Sequence, residues 1–345
     1  MKTQIIAVTS QPEAGTSLGA ELIRSGELVA FPTETVYGLG ANGLDSAAVQ
    51  KIFEVKGRPG DNPLILHLSK KSEARTLWDG MPKAAHPLMD NFWPGPLTLV
   101  YKCSARVPEE VTAGLDTVAL RMPQNKTARA LIQKACVPIA APSANLSGKP
   151  SPTKAEHVRE DLDGRIPLIL DGGACRVGVE STVLSLVGKP TILRPGGITK
   201  EMLQAVIGTV AVSDSVLAPL AEGVVAESPG MKYRHYAPAG RVHVVTGEPN
   251  AAAARILALL RQEEVQGNHC HVAATSQTKR YYKGRPHTVI GDRSQPETLC
   301  ANLFALLRET EADILFAEGI STDDAGLAYM NRLLRAAGFS VEEAR

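Results

Sequence analysis

No stretch of this 345-residue chain stays apolar for the roughly 18 to 20 residues that a membrane-spanning helix requires. The opening MKTQIIAVTSQPEAG has a single lysine and neither a sustained apolar segment nor a small-residue cleavage site, so no secretory signal is expected. The expectation is a soluble, cytoplasmic protein with no membrane partner. Cysteine pairs are missing too: Cys103, Cys136, Cys175, Cys270 and Cys300 are scattered, odd in number and never in a CxxC, which fits reduced core thiols better than disulfides or zinc. Net charge is nearly absent, with 37 basic against 36 acidic side chains. Residues 1–212 carry only a small positive excess, 23 against 20, so a polyanionic partner has to be met locally.

Two familiar nucleotide signatures fail as well. GLGANG (38–43) fits GxGxxG, but Pro32 and the PTETVY bend interrupt the strand that should precede it, the helix begins only near residue 46, and Asp61 lies in a loop. A tight turn needing small residues is the expectation there. The Walker pattern GxxxxGK[ST] does not occur, since neither Lys149 nor Lys189 has a glycine in register. HCH at 269–271 puts two histidines on one strand face with no further ligand nearby, and a structural role is expected.

What is present is an alternation of short β-type runs and amphipathic segments. At this length two domains are expected. In the first, ELVAF, PLILHL, PLTLVYKC, TVALRMP, VPIAAPS, IPLILDGG, STVLSLV and PTILRPG read as strands. DSAAVQKIFEVKG reads as a helix capped by Asp45 or Ser46 and stopped by Gly57, with further helices near 125–135, 153–162 and 199–207. The closely spaced, proline-broken strands predict a mixed sheet. Periodicity fades between 210 and 240, where SPGMKYRHYAPAG reads as a linker, and from Arg241 a strand and helix rhythm predicts a small doubly wound parallel domain. The expected organisation is residues 1–209, a linker over 210–240, and 241–345.

The chemistry gathers at strand ends. VKGRPGDNPLILHL sets Lys56 and Arg58 on a Gly/Pro-rich bend; Lys56 also suits the end of a helix, where a cation complements the dipole, and Arg58 also suits a solvated loop. FPTETVYGLG places Thr33 and Thr35 in a bend after a strand, and APSANLSGKPSPT does the same for Ser143, Asn145, Ser147 and Ser151. GVESTV brings Ser181 and Thr182 to a strand start, and LRPGG brings Arg194 to a strand end. Hydroxyls, amides and cations in such places suit an anionic ligand, with arginine as a planar fork and lysine as a point charge. No Ser/His/Asp, zincin or paired-carboxylate arrangement accompanies them, which points to phosphoryl or nucleotidyl transfer.

With these residues assembled, the chain resembles the YrdC-like family of threonylcarbamoyl-AMP synthases in its long form. The resemblance rests on PTETVYGLGA, KGRPGDNPLILH, WPGPLTLV, VALRMP, APSANLSGKPSPT, GVESTV, ILRPGGIT and SPGMKYRHYAP, in the family's order over most of residues 28–238. It implies an α/β fold, a YrdC-like mixed twisted sheet followed by a smaller Rossmann-like α/β domain. The implied reaction joins L-threonine, bicarbonate and ATP, with Mg²⁺, into threonylcarbamoyl-AMP and pyrophosphate. The product would feed a downstream tRNA threonylcarbamoyl transferase complex, with at most a weak tRNA contact by the chain itself.

Carried over residue by residue, the resemblance implies Thr35, His67, Arg121 and Ser181 for L-threonine. It implies Lys56 and Arg58 as catalytic cations at the triphosphate, beside Ser143 and Asn145. Asn62, Thr117, Ala141, Ser151, Arg194, His235 and Tyr236 are implied as further ATP contacts, the last two from a linker that closes over the site. In one departure, Ser185 stands where an acidic residue is expected after ESTV, so that the role of such a carboxylate is either absent or supplied elsewhere, by Glu180 or Asp171; no metal ligands are assigned. Two other classes stay open: a non-catalytic RNA-binding protein, and a related ATP-dependent carbamoyl or acyl transferase with a different substrate.

Overall fold

The computed structural model describes residues 2–218 and 236–344. Two compact units divide them, one holding Ser151–Val216 and residues 2–147, the other Gly148–Pro150 and residues 236–344. Of the linker and lid expected over 210–240, residues 219–235, His235 included, lie outside the described residues.

The first unit is built on an eleven-stranded sheet. In chain order its strands are β1 (Gln4–Ala7), β2 (Val29–Phe31), β3 (Gly38–Asn42), β4 (Ile65–His67), β5 (Leu97–Lys102), β6 (Thr117–Arg121), β7 (Ile139–Ala140), β8 (Leu168–Asp171), β9 (Thr182–Ser185), β10 (Thr191–Arg194) and β11 (Ala211–Val212). They lie side by side as β1-β8-β2-β3-β7-β4-β6-β5-β9-β10-β11. The sheet is mixed, as the short proline-broken strands predicted: β4 and β6 are parallel, whereas β5 and β6 are antiparallel. The three anticipated helices form at Lys126–Ala135, Ala155–Leu162 and Lys200–Ile207.

Local chemistry explains where helices begin and end. Asp45 accepts hydrogen bonds from the amides of Ala47 and Ala48 and so caps the helix Ser46–Lys56, which buries Ala48, Val49, Ile52 and Phe53. Gly57 ends it in the left-handed region at φ 59°, with the Gly57 and Arg58 amides bonded back to Glu54 and Phe53.

One sheet face is divided. Over β1, β8, β2 and β7 it is covered by the helices Pro12–Arg24 and Lys126–Ala135, whose Ala20, Ile23, Leu131 and Ile132 pack on Val29, Phe31, Ile139 and Leu170. Further along, Ile65, Val100, Ala119, Val183 and Leu193 form a separate small apolar patch. Because side chains alternate along a strand, that patch shares its face with His67, Thr98 and Arg121.

The second unit carries five strands, β12 (Arg241–Thr246), β13 (Cys270–Thr275), β14 (His287–Gly291), β15 (Ile314–Glu318) and β16 (Val341–Glu343), ordered β14-β13-β15-β12-β16 and all parallel. This is the doubly wound architecture expected from its alternating pattern. His271 bonds the Thr288 hydroxyl at 2.9 Å, within the sheet. Among the described residues no helix is long and apolar enough to cross a membrane.

The expected turn at GLGANG is instead strand β3, antiparallel to both β2 and β7. Glycine is poor in strands, so the sequence hides this one. The reason for it is close packing: a Cβ on Gly40 would sit 2.8 Å from both the Ile139 and Phe31 side chains. Gly40→Ala should therefore cost about 1–3 kcal/mol by overpacking. Urea unfolding checks this, and an unchanged midpoint would remove the packing account of the motif.

Candidate functional site

The site is assembled on the part of the first sheet's face that the helices Pro12–Arg24 and Lys126–Ala135 do not cover, within the first unit, where its side chains are nevertheless buried. Lys56, at the end of its helix, is only 3% exposed. Its ammonium donates to the Ser143 and Asn145 carbonyls, each at 2.5 Å, with Asn145 Oδ1 at 3.5 Å. The Ser143 hydroxyl donates to Asn145 Oδ1 at 2.5 Å, and the Leu146 amide donates to Asp161 Oδ2 at 3.2 Å. Lys56 thus organises the SAN loop from beneath, and three protein oxygens match its three donors.

Arg58 and Asn62 share the bend that follows, Arg58 Nη2 donating to the carbonyls of Asn62 and Pro63 at 3.2 and 3.3 Å. The Asn62 side chain is 1% exposed, yet neither its Oδ1 nor its Nδ2 has a hydrogen-bond partner. An unmet buried amide costs about 1–3 kcal/mol.

Arg121 ends β6 beside His67 of β4 and Thr98 of β5, both in register with it. Its Nη2 pairs with Glu34 Oε1 at 2.6 Å, its Nη1 donates to Thr35 Oγ1 at 3.0 Å, and its Nε points to the Gly95 carbonyl at 3.4 Å. Thr33 shapes the bend by accepting from the Thr35 and Val36 amides. Burial opposes the charge on Glu34, but the Arg121 guanidinium and the amides around it hold the carboxyl below its ordinary value. Burial, with Arg121 nearby, pushes His67 down to about 3, so its imidazole is neutral at physiological pH. His67 Nδ1 lies 3.2 Å from the Ile65 carbonyl, an acceptor that suits the tautomer with its proton on Nδ1.

Ser181 lies next to this group, its hydroxyl 2.7 Å from Thr98 Oγ1. Arg194 holds it there, Nε donating to the Ser181 carbonyl at 3.1 Å and Nη2 to its Oγ at 3.2 Å. The turn after Arg194 can approach so closely only because Gly196 lacks a side chain; a Cβ there would meet the Thr182 amide at 2.3 Å.

The expected residues therefore fall into two groups, Thr35, His67, Arg121 and Ser181 with Arg194, and Lys56, Ser143 and Asn145 with Arg58 and Asn62 following. Ala141 bonds the β4 edge, its amide donating to the Ile65 carbonyl at 3.0 Å. Ser151 donates to Glu180 Oε1 at 2.5 Å. Thr117 opens β6, four residues and roughly 13 Å of strand from Arg121. Tyr236 lies in the second unit, its ring centroid 4.8 Å from that of Phe304. Ser185 accepts the Val187 amide at 3.3 Å, a turn-capping role, and Asp171 accepts from Gly173 at 2.9 Å. Among the described residues no group of three or more His, Cys, Asp or Glu is placed to hold a metal ion.

Sequence reasoning missed Glu34, Thr98 and the apolar floor of Ile65, Val100, Ala119, Val183 and Leu193. The floor was findable by stepping two residues from His67, Thr98 and Arg121 along each strand.

This fold and site define a YrdC-like α/β enzyme unit joined to a smaller parallel α/β unit. Residues 21–196 match the family model described as telomere recombination, and residues 198–338 the one described as threonylcarbamoyl-AMP synthase, C-terminal domain. The chain is 50% identical over 324 residues to a threonylcarbamoyl-AMP synthase of Bacillus subtilis, covering 92% of each chain. It is 46% identical to that of Pyrococcus abyssi, covering 94% of each. The crystal structure of P. abyssi Sua5 complexed with L-threonine superposes with a TM-score of 0.90 at 45% identity, over 96% of both chains. The chain belongs to the threonylcarbamoyl-AMP synthase family, whose members are transferases.

The neutral His67 generates a pH prediction. Its proton affinity is lowered on folding, so between its ordinary 6.5 and about 3 the unfolded chain binds more protons than the native one. Stability should fall as pH drops through that window and be indifferent to His67 above it. Denaturant unfolding from pH 7 to pH 4 should show a shallower loss in His67→Gln than in the parent; equal slopes would contradict the buried neutral imidazole.

Proposed function

We propose that the first unit condenses L-threonine, bicarbonate and Mg–ATP into threonylcarbamoyl-AMP and pyrophosphate. The observation that carries this reading is the pairing of two subsites of different chemistry: an arginine, threonine and neutral histidine group sized for an amino acid, and a cationic bend with the unpartnered Asn62 amide. The L-threonine complex of the P. abyssi relative supports threonine as the amino acid.

In this scheme Arg121 and Thr35 bind the substrate carboxylate and hydroxyl side, with Ser181 and His67 Nε2 as further partners. The neutral amine of threonine adds to the carbon of bicarbonate, forming the N–C bond and releasing water, or adds to CO₂ with loss of a proton. The resulting carbamate oxygen attacks the α-phosphorus in line, its P–O bond forms, and the bond to pyrophosphate breaks. Arg58 with the Lys56-anchored SAN loop neutralises charge on the phosphates, where fixed dipoles and cations contribute most. Mg²⁺ enters with ATP as part of that substrate. Holding threonine and the α-phosphate on one sheet face supplies proximity. Ala141, Ser143, Asn145, Ser151 and Thr117 are the residues proposed to line or brace the nucleotide side, and Arg194 braces Ser181 on the amino-acid side.

The product is an activated acyl adenylate, and the family resemblance implies a downstream tRNA threonylcarbamoyl transferase as its consumer, with both expected in the cytoplasm. The Lys/Arg loops and the small positive excess of residues 1–212 are what favours an RNA-binding alternative.

Pyrophosphate release from Mg–ATP and bicarbonate, with each of the twenty amino acids supplied singly, tests the reaction. Release should require L-threonine and bicarbonate and fall roughly 10²-fold or more in Arg58→Ala. Release that ignores the amino acid, or none from folded protein, would overturn the synthase reading and leave salt-dependent RNA binding as the next measurement.

Asn62 gives a second, sharper test. Because the fold does not satisfy its amide, Asn62→Ala should leave the melting temperature unchanged or higher while raising the KM for ATP about tenfold. A destabilised variant with unaltered KM would assign Asn62 to structure alone.

A further inference from the structure

We propose that Glu34 is a positioning residue for the amino-acid substrate, fixing the plane of the Arg121 guanidinium and so aiming its remaining donors at the substrate carboxylate. The inference rests on the assignment of Arg121 to that carboxylate.

Glu34 and Arg121 are both almost wholly buried, with side chains 5% and 4% exposed. A guanidinium has five N–H groups. Three are engaged by Glu34 Oε1, Thr35 Oγ1 and the Gly95 carbonyl. Two remain, one on each terminal nitrogen, which is the number a carboxylate accepts from a planar fork. Rotation about the last side-chain bonds of Arg121 would redirect both, and the contact that resists it most is the short charge-assisted bond to Glu34. Thr35 is a single neutral acceptor, and the Gly95 contact is long.

Glu34 is itself held from the other side. Its Oε2 accepts from the Gln124 and Asn125 amides at 3.0 and 3.2 Å, in the turn that enters the helix Lys126–Ala135. Its own carbonyl accepts the Val177 amide at 2.8 Å. The carboxylate is thus fixed to backbone at one oxygen and presents the other to Arg121. It also cancels the arginine's charge, so a substrate carboxylate is selected by directed hydrogen bonds more than by a bare positive field. That makes recognition geometric, and it makes the geometry dependent on Glu34.

The test uses the full-length chain and compares wild type, Glu34→Gln, Glu34→Asp and Arg121→Lys. Steady-state pyrophosphate release gives kcat and the KM for L-threonine, and L-threoninamide, which lacks the carboxylate, serves as a competitive inhibitor. Thermal melting establishes that each variant is folded. In Glu34→Gln the KM for threonine should rise about tenfold, equivalent to about 1.4 kcal/mol. Its kcat and the threoninamide inhibition constant should move less than about threefold. Glu34→Asp, which keeps the charge, should recover part of the KM. Should the Gln variant not fold, Glu34→Asp carries the same comparison, with a smaller KM rise and an unmoved inhibition constant expected. A purely structural role would shift threonine and threoninamide together, and that result, an unchanged threonine KM, or a fall in kcat alone overturns the proposal. An unaltered threonine KM in Arg121→Lys would instead remove the carboxylate assignment itself.

Discussion

Burying an ammonium is costly unless oxygens surround it, and Lys56 imposes that requirement on the site. Its charge sits beneath the SAN loop, bonded to carbonyls 87 and 89 residues away in the chain. The loop can satisfy the lysine only by turning those carbonyls inward, and Asp161, accepting the Leu146 amide, locks the turn from the far side. The same helix end carries Gly57 and so launches the bend with Arg58 and Asn62. A single buried cation therefore sets the shape of two of the loops proposed to form the nucleotide side. On that reading it acts on a phosphate through its field and through the loop it holds, its ammonium being bonded to the Ser143 and Asn145 carbonyls.

The other half of the site follows the same rule with signs paired. Arg121 is buried because Glu34 is, and Glu34 stays charged because Arg121 and two backbone amides face it. The result is an interior with fixed dipoles and little freedom to reorganise, which is how charge developing during acyl adenylate formation is best stabilised. Alongside these polar groups the sheet face carries the buried apolar patch of Ile65, Val100, Ala119, Val183 and Leu193. The helices Pro12–Arg24 and Lys126–Ala135 pack on the other part of that face, over β1, β8, β2 and β7.

Much of this could be read in advance. The helix Ser46–Lys56 announced itself through its cap, its apolar spacing and its terminal glycine, and the parallel second unit through its alternation of strands and helices. The polar residues at strand ends were legible as a set, and the fold brings many of them into two hydrogen-bonded groups. Strand β3 was missed because three of the residues in GLGANG are glycine, a composition that signals a turn unless the neighbours that crowd it are known. Glu34 was missed because a lone acid in a threonine-rich bend looks solvated, and its partner lies 87 residues further on.

The sequence by itself determined the local order of the chain: which segments are strands, where helices start and stop, and which loops carry hydroxyls, amides and cations. These depend on neighbours a few residues apart, so short-range sterics and capping encode them. Tertiary structure alone decided which of those groups come together and which are consumed in bracing the others. Lys56 and Arg121 look alike as site cations in the sequence, but one spends its three donors on a loop and the other keeps two of five. That division depends on sheet order and burial across more than eighty residues of chain, where the cost of an unpaired buried charge chooses the partners.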